Sequence, residues 1–416
     1  MTLWRTFLAS MLFVLVGTIP ASAATAGRHP VLLISIDGLR PDAVLQADKY
    51  GLRIPVLRSL LKDGAYAEGV LNVNPTVTNP NHTTLVTGVL PAEHGVYNNR
   101  PFAASTKLPA SYSRYAEIKA PTLWRAAKAA GLTTASVFWP VTAGAGDIDV
   151  NIADGSGEDD PKIEADTIKL IEDKRPDLLT LHLVSLDHEE HESGPFSPES
   201  NAVLERLDGI VGRVVAAERK AHPDAVVVVV SDHGFFEVTH QMHLNTALVD
   251  GGFITLGPDK AVTSWRAFGW YVGGMAMVVL QDPKDQQTRD RVKAYLDTLA
   301  RDPNNGIEGV HGRSEINGLG LAPEAELVVA FKPGYRMGNA FTGPLVEASK
   351  GGAHGAFATR ALRPDMRSSF FATGPGIAKA RNLGVIDIRQ VAPTIAATLK
   401  IALPSAKMAP LSLGGR

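Results

Sequence analysis

Three runs of apolar, β-prone residues each stop at an acidic or histidine-bearing cluster, and the three lie far apart in the chain. Val31 to Ile36 stops at Asp37, Leu181 to Leu186 at Asp187 with His191 just beyond, and Ala225 to Ser231 at Asp232-His233. A fourth piece, Gly351-Gly352-Ala353-His354-Gly355, comes much later. Short continuous apolar runs that end in polar residues read as strands buried on both faces, the pattern of a parallel sheet. Ligands of such sheets bind beyond the carboxyl ends of the strands. The clusters are therefore expected to meet along one edge of one sheet.

Helical patterns separate these runs. They cover Ile54–Asp63, Thr83–Val89, Thr122–Gly131, Lys162–Arg175 and Ala202–His222, with a short strand over Ala135–Trp139. The alternation predicts an α/β fold with a mostly parallel central sheet flanked by helices on both faces. The rhythm changes between 253 and 339, where a strand over Tyr271–Leu280, a helix over Gln286–Arg301 and a strand over Ala325–Phe331 are expected. This stretch reads as an inserted cap subdomain, with the catalytic domain formed by 24–252 and 340–416. A chain of 416 residues has room for both.

The N-terminus reads as an export signal over 1–23. Arg5 supplies the positive charge, Phe7 to Ile19 the apolar stretch, and Ala21-Ser22-Ala23 the small residues before cleavage. The apolar stretch is too short to span a bilayer comfortably. The expectation is an exported protein, periplasmic or secreted, with no membrane association after cleavage. The absence of cysteine excludes disulfides and thiolate metal sites. A net charge of −2 with both signs dispersed argues against a nucleic-acid polymer as partner.

Three carboxylates and three imidazoles at one edge are zinc donors, and a catalytic zinc keeps one position open. The residues sort into two trios: Asp187, His191 and His354, and Asp37, Asp232 and His233. Taken singly, each has a simpler reading, an aspartate as a helix cap or a histidine as a hydrogen-bonding residue. Taken together they predict two Zn²⁺, and Mn²⁺ accepts the same donors. Two dications against three carboxylates leave a positive residue that attracts phosphate oxygens. Metals about 3.5–4 Å apart can hold the attacking and leaving oxygens of a displacement. His182, His188, His240 and His243 read as structural or supporting residues, with His182 facing the site from within its strand.

The polar turn from Asn74 to Gly88 runs into a helix, and a hydroxyl there would sit near unpaired backbone N–H groups. Thr78 is the candidate nucleophile and a metal-contacting residue. On pattern alone Thr76 and Thr83 stand beside it. Metal coordination would lower the hydroxyl pKa and aim it.

At this point the chain resembles the alkaline phosphatase superfamily, and within it the nucleotide pyrophosphatase/phosphodiesterase group. The resemblance is carried by Ile36-Asp37-Gly38-Leu39-Arg40-Pro41-Asp42, by Thr78-x-Pro80-Asn81-His82 with Thr87-Gly88 beyond, and by Pro91 to Asn99. Asp187-x-x-x-His191, Ser231-Asp232-His233-Gly234 and Gly352-Ala353-His354-Gly355 complete it, in family order. It implies a bi-zinc hydrolase in which Thr78 attacks phosphorus and a phospho-threonine intermediate is hydrolysed by water. Asp37, Asp232 and His233 would serve Thr78, and Asp187, His191 and His354 the water. Asn99 would hold a phosphate oxygen together with the Thr78 N–H, an oxyanion site worth a few kcal/mol.

Two positions depart from the group's nucleotide-cleaving members. Asn79 stands where they carry a base-stacking phenylalanine, and His182 where they often carry a tyrosine. Both are therefore read as substrate-binding positions of altered preference, since stacking contributes about 1–3 kcal/mol per base. The Thr-Asn-Pro-Asn turn is similar to that of phosphonoacetate hydrolases. The expected function is a phosphodiesterase or nucleotide pyrophosphatase acting on a small phosphate ester. Phosphonoacetate or phosphomonoester hydrolysis on the same site is the alternative, and a non-catalytic metal- or phosphate-binding protein the least favoured.

Overall fold

The computed structural model describes residues 27–153, 159–358 and 363–414. The expected signal segment lies outside them. Eight strands form the central sheet. Their order is Arg381–Asn382, Ala65–Tyr66, Phe370–Thr373, Val226–Val230, Val31–Ile36, Leu178–Leu183, Thr134–Val137 and Val150–Ile152. From Val226–Val230 to Val150–Ile152 every neighbouring pair is parallel. Phe370–Thr373 runs antiparallel to both of its neighbours, which makes the sheet mixed toward that edge.

Successive side chains of a strand point to opposite faces, so a sheet covered twice needs apolar residues at every position. On one face Leu32, Ile34 and Ile36 pack with Val227 and Val229 beneath the helices Asp160–Lys174 and Pro198–Ala221. On the other, Val31, Leu33, Val226, Val228 and Val230 pack beneath Thr78–Thr87, Leu123–Ala129 and Val391–Thr398. All five valines of Val226–Val230 are buried, each contributing roughly 1.5–3 kcal/mol against exposure.

A second sheet of four antiparallel strands is built from Ala267–Tyr271, Met275–Leu280, Ala325–Phe331 and Ile307–Gly312. The helix Gln286–Ala300 packs against it. The single strand expected over Tyr271–Leu280 is in fact a hairpin. Gly273-Gly274 turns the chain, and Trp270 pairs with Met277 across it. That turn is wedged into the main body: Gly274 N–H donates to the His354 carbonyl at 2.9 Å, and Met337 N–H donates to the Gly273 carbonyl at 2.7 Å. A methyl group on Gly273 would sit 2.3 Å from the His354 carbonyl oxygen, so only glycine permits this approach.

Candidate metal centre

Each candidate residue is placed by the end of an element. Asp37 follows the strand Val31–Ile36, and its N–H donates to the Leu183 carbonyl of the adjacent strand at 2.9 Å. Asp187 and His191 lie one turn apart on the helix Ser185–Ser193, so they share a face. The start of that helix is held by Asp160, whose carboxylate accepts from the Val184 and Ser185 N–H groups at 2.9 and 3.1 Å. Asp232 and His233 follow Val226–Val230. His354 follows the short strand Gly352–Ala353, which lies so close to the end of the Asp187 helix that a Cβ on Gly352 would sit 2.5 Å from the Glu190 carbonyl.

The six residues gather into two trios, Asp37 with Asp232 and His233, and Asp187 with His191 and His354. Within each, one candidate donor atom per residue lies within 4.8 Å of the others. The trios abut: the His233 and His354 rings stack with centroids 3.8 Å apart. Asp37 Oδ1 is 3.3 Å from His233 Nε2, and Asp187 lies 3.6 Å from the Nε2 atoms of both His191 and His354.

The donor chemistry fits a pair of cations. All three histidines have Nδ1 against a backbone carbonyl: His233 at Gly234, His191 at Gly352 and His354 at Thr76, at 3.2, 3.2 and 3.3 Å. A carbonyl only accepts, so Nδ1 carries the proton and each Nε2 lone pair is left facing its trio. Asp37 Oδ1, Asp187 Oδ1 and Asp232 Oδ2 are buried oxygens without a hydrogen-bond partner, a costly state unless a positive group meets them. Burial, followed by the charges of Asp232 and Asp187, pushes the Asp37 carboxyl well above its usual range. Burial holds His233 down at about 4 and His354 well below its ordinary value. Burial thus keeps these imidazoles neutral, as metal binding requires, and the crowding that disfavours the Asp37 carboxylate is what a bound cation would relieve.

Thr78 is the first residue of the helix Thr78–Thr87, whose start lies five residues ahead of the expected Thr83. Pro80 is tolerated because first-turn N–H groups have no partner within the helix. Asn81 fixes the preceding turn by accepting from Val73 N–H and donating to the Pro75 and Val77 carbonyls. The Thr78 hydroxyl lies 3.4 Å from His233 Nε2 and 3.5 Å from Asn99 Nδ2. Asn99 Oδ1 accepts from Asn79 N–H at 2.8 Å, which turns the Nδ2 donor toward Thr78. Thr76 and Thr83, the other candidates, hydrogen-bond to the Ala356 and Asn79 carbonyls.

Asn79 and His182 are both buried and engaged in hydrogen bonds inside the fold. The Asn79 amide donates to the Asn99 and Tyr112 carbonyls and to Ser111 Oγ, so it braces the loop that carries Asn99. His182 is buried, with Nε2 3.0 Å from Asp37 Oδ2 and Nδ1 3.2 Å from the Phe138 carbonyl. It orients Asp37. The sequence reading left three further contributors unassigned. His82 Nδ1 lies 3.4 Å from Asp232 Oδ2, Asn98 Nδ2 donates to the Tyr271 carbonyl at 2.8 Å, and Trp270 Nε1 donates to the Arg100 carbonyl at 3.1 Å. The last two bonds tie the Asn99 turn to the second sheet. Together with His191 and His354, that turn and that sheet enclose a cleft of about 200 Å³.

Residues 31–357 match the model of the type I phosphodiesterase / nucleotide pyrophosphatase family. The chain belongs to that family. It is 32% identical over 234 residues to human ectonucleotide pyrophosphatase/phosphodiesterase family member 1, a match covering 52% of this chain and 24% of that protein. It is 28% identical over 231 residues to venom phosphodiesterase 2 of Crotalus adamanteus, covering 51% of this chain and 27% of the relative. The chain thus spans about a quarter of the length of these curated relatives. Among solved structures, human ectonucleotide pyrophosphatase/phosphodiesterase 5 superposes with a TM-score of 0.69 at 21% identity, covering 93% of this chain and 97% of that one. An inactive threonine-to-alanine variant of the murine protein in complex with AMP superposes with a TM-score of 0.68 at 22% identity, covering 90% and 96% of the two chains. The shared architecture is the α/β fold of the alkaline phosphatase superfamily. Among the described residues no helix is long and apolar enough to cross a membrane.

Proposed function

We propose that this protein is an exported two-zinc hydrolase that cleaves small phosphate diesters or pyrophosphates, with Thr78 as nucleophile. The observation that carries the reading is the orientation of the three imidazoles: each is pinned at Nδ1 by a carbonyl, leaving three Nε2 lone pairs beside three carboxylates with unpartnered buried oxygens. Asp37, Asp232 and His233 would hold one cation, and Asp187, His191 and His354 the other. When bound, the cations supply charge for the phosphate oxygens and acidify a coordinated hydroxyl or water.

The chain's own residues do the rest. The Thr78 oxygen attacks phosphorus, the leaving group departs with its bonding electron pair, and a phospho-threonine forms. Water then attacks that phosphorus, releasing the phosphate product and restoring the hydroxyl. Asn99 Nδ2 and the Thr78 N–H, an unpaired donor at the helix start, would hold a non-bridging oxygen through both steps. His182 lies against Asp37 Oδ2, and the Gly38 N–H donates to Asp232 Oδ1, so both carboxylates are held in place. The unit spanning 253–339 would act as a cap over the leaving-group side. The inactive threonine-to-alanine variant of the murine relative supports a threonine in this role.

The test is metal content together with rates on bis-p-nitrophenyl phosphate and p-nitrophenyl phosphate. Stoichiometric zinc with a dominant diester rate supports the proposal. A dominant monoester rate, or full zinc with no hydrolysis of either, would contradict it.

A further inference from the structure

We infer that Arg336 binds a second anionic group, carried by the substrate away from the scissile phosphate, so that the site favours phosphate esters with an anionic far end. The inference rests on the hydrolase reading above and extends it to the substrate class. Arg336 lies on the strand Gly334–Met337, opposite Gln241. The next residue, Met337, donates its N–H to Gly273, and the same glycine turn receives the His354 carbonyl through Gly274. Two backbone hydrogen bonds therefore fix Arg336 relative to His354, and both side chains line the same cleft.

The guanidinium lacks a charge partner. One Nη2 donates to Ser349 Oγ at 3.3 Å, whereas Nε is buried with no acceptor. Among the described residues Arg336 forms no ion pair, and neither aspartate nor glutamate lines the cleft. A partly buried guanidinium has lost hydration that only an acceptor can replace, and its planar fork matches a carboxylate or phosphate. The lining of the cleft is partly apolar. Arg100 Nη1 donates to the Pro109 carbonyl at 2.6 Å, holding the segment that bears Leu108 beside the cleft. Leu108 is the exposed large apolar side chain of the described residues, at 49%, and it lines this cleft. An apolar spacer between two anions would cover it.

The experiment compares kcat/KM for 4-nitrophenyl phenyl phosphate with its 4-carboxyphenyl and 4-phosphonophenyl counterparts, on wild type, Arg336→Gln and Arg336→Lys. The wild-type rate on the diester that lacks a second anion reports on the hydrolase reading by itself. The expected result is a wild-type preference of roughly ten- to hundredfold for at least one anionic counterpart, collapsing in Arg336→Gln and partly kept in Arg336→Lys. The better counterpart identifies carboxylate or phosphate as the group bound. Binding of phenylphosphonate and 4-carboxyphenylphosphonate, followed by calorimetry, gives the same comparison without turnover. No wild-type preference, or equal losses on substrates with and without the second anion in Arg336→Gln, would overturn the inference.

Discussion

Gly273→Ala tests how the second sheet is coupled to the candidate metal centre. The added methyl would meet the His354 carbonyl oxygen at 2.3 Å and its carbon at 3.3 Å. The obstacle is backbone, and it cannot swing aside as a flexible side chain would. That carbonyl also accepts the Gly274 N–H, while the His354 ring is pinned at Nδ1 to Thr76. Relief therefore requires moving either the turn or the ligand. Forcing extra volume into a close contact costs about 1–3 kcal/mol. The positive φ of 154° at Gly273 adds strain for an alanine, so a control is needed. Gly252 also has a positive φ, 71°, with nothing within 4 Å of a Cβ, and Gly252→Ala should lose only the conformational part, about 1–2 kcal/mol. Denaturant unfolding of both variants, with metal analysis, separates the terms. Gly273→Ala should be less stable than Gly252→Ala and should hold the ion of the Asp187, His191 and His354 trio more weakly, with the other ion kept. Equal stability of the two variants with both ions retained would refute this reasoning.

Other outcomes follow from the same geometry. Thr78→Ala should lower diester turnover more than thousandfold while leaving metal content intact, read by steady-state rates and elemental analysis. Asn99→Ala should lower kcat about 10²–10³-fold, and Asn98→Ala less, because the Asn98 side chain holds the turn through the Tyr271 carbonyl and the Asn99 N–H rather than reaching Thr78; kcat and KM measured on one diester give the ranking. His94 makes stability pH-dependent. Burial holds its pKa near 3 rather than 6.5, and its Nδ1 accepts the Val96 N–H, which protonation would displace. The unfolded chain binds the proton first, so stability should fall as pH drops from 6.5 toward 3, by up to about 1.4 kcal/mol per pH unit from this group. Urea unfolding of wild type and His94→Gln across that range should show a shallower slope for the variant.

Much of the central fold was legible because its strands are buried on both faces. Val226–Val230 lies within the run read as a strand, whereas the strand expected over Leu181–Leu186 sits three residues earlier, at Leu178–Leu183, with Leu186 already in the next helix; strands of one parallel sheet still bring their carboxyl ends together whatever the chain does between them. That is why residues as remote as Asp37 and Asp232 could be grouped from sequence. Asp187 and His191 share a helix face as their spacing predicts, since four residues make about one helical turn. The hairpin at Gly273-Gly274 was missed because apolar residues flank the turn on both sides, and the doublet was not read as punctuation. The early start of the Thr78 helix was missed because the polar run through Pro80, Asn81 and His82 reads as a turn, although a proline in the first turn forfeits no intrahelical hydrogen bond. Asn79 was read as substrate-binding because it stands where the resembled group carries a stacking phenylalanine, but its amide hydrogen-bonds to the Asn99 loop. Arg336 gave no local signal: its significance lies in what it lacks, a carboxylate partner, and that depends on tertiary packing.

The account stands on paired cation sites built from these six residues. Zinc content of purified wild type, Asp37→Ala and His354→Ala after dialysis against metal-free buffer tests it most directly. Two ions per wild-type chain, with each variant losing a different one, is the expected result. A wild-type chain without stoichiometric metal would contradict it.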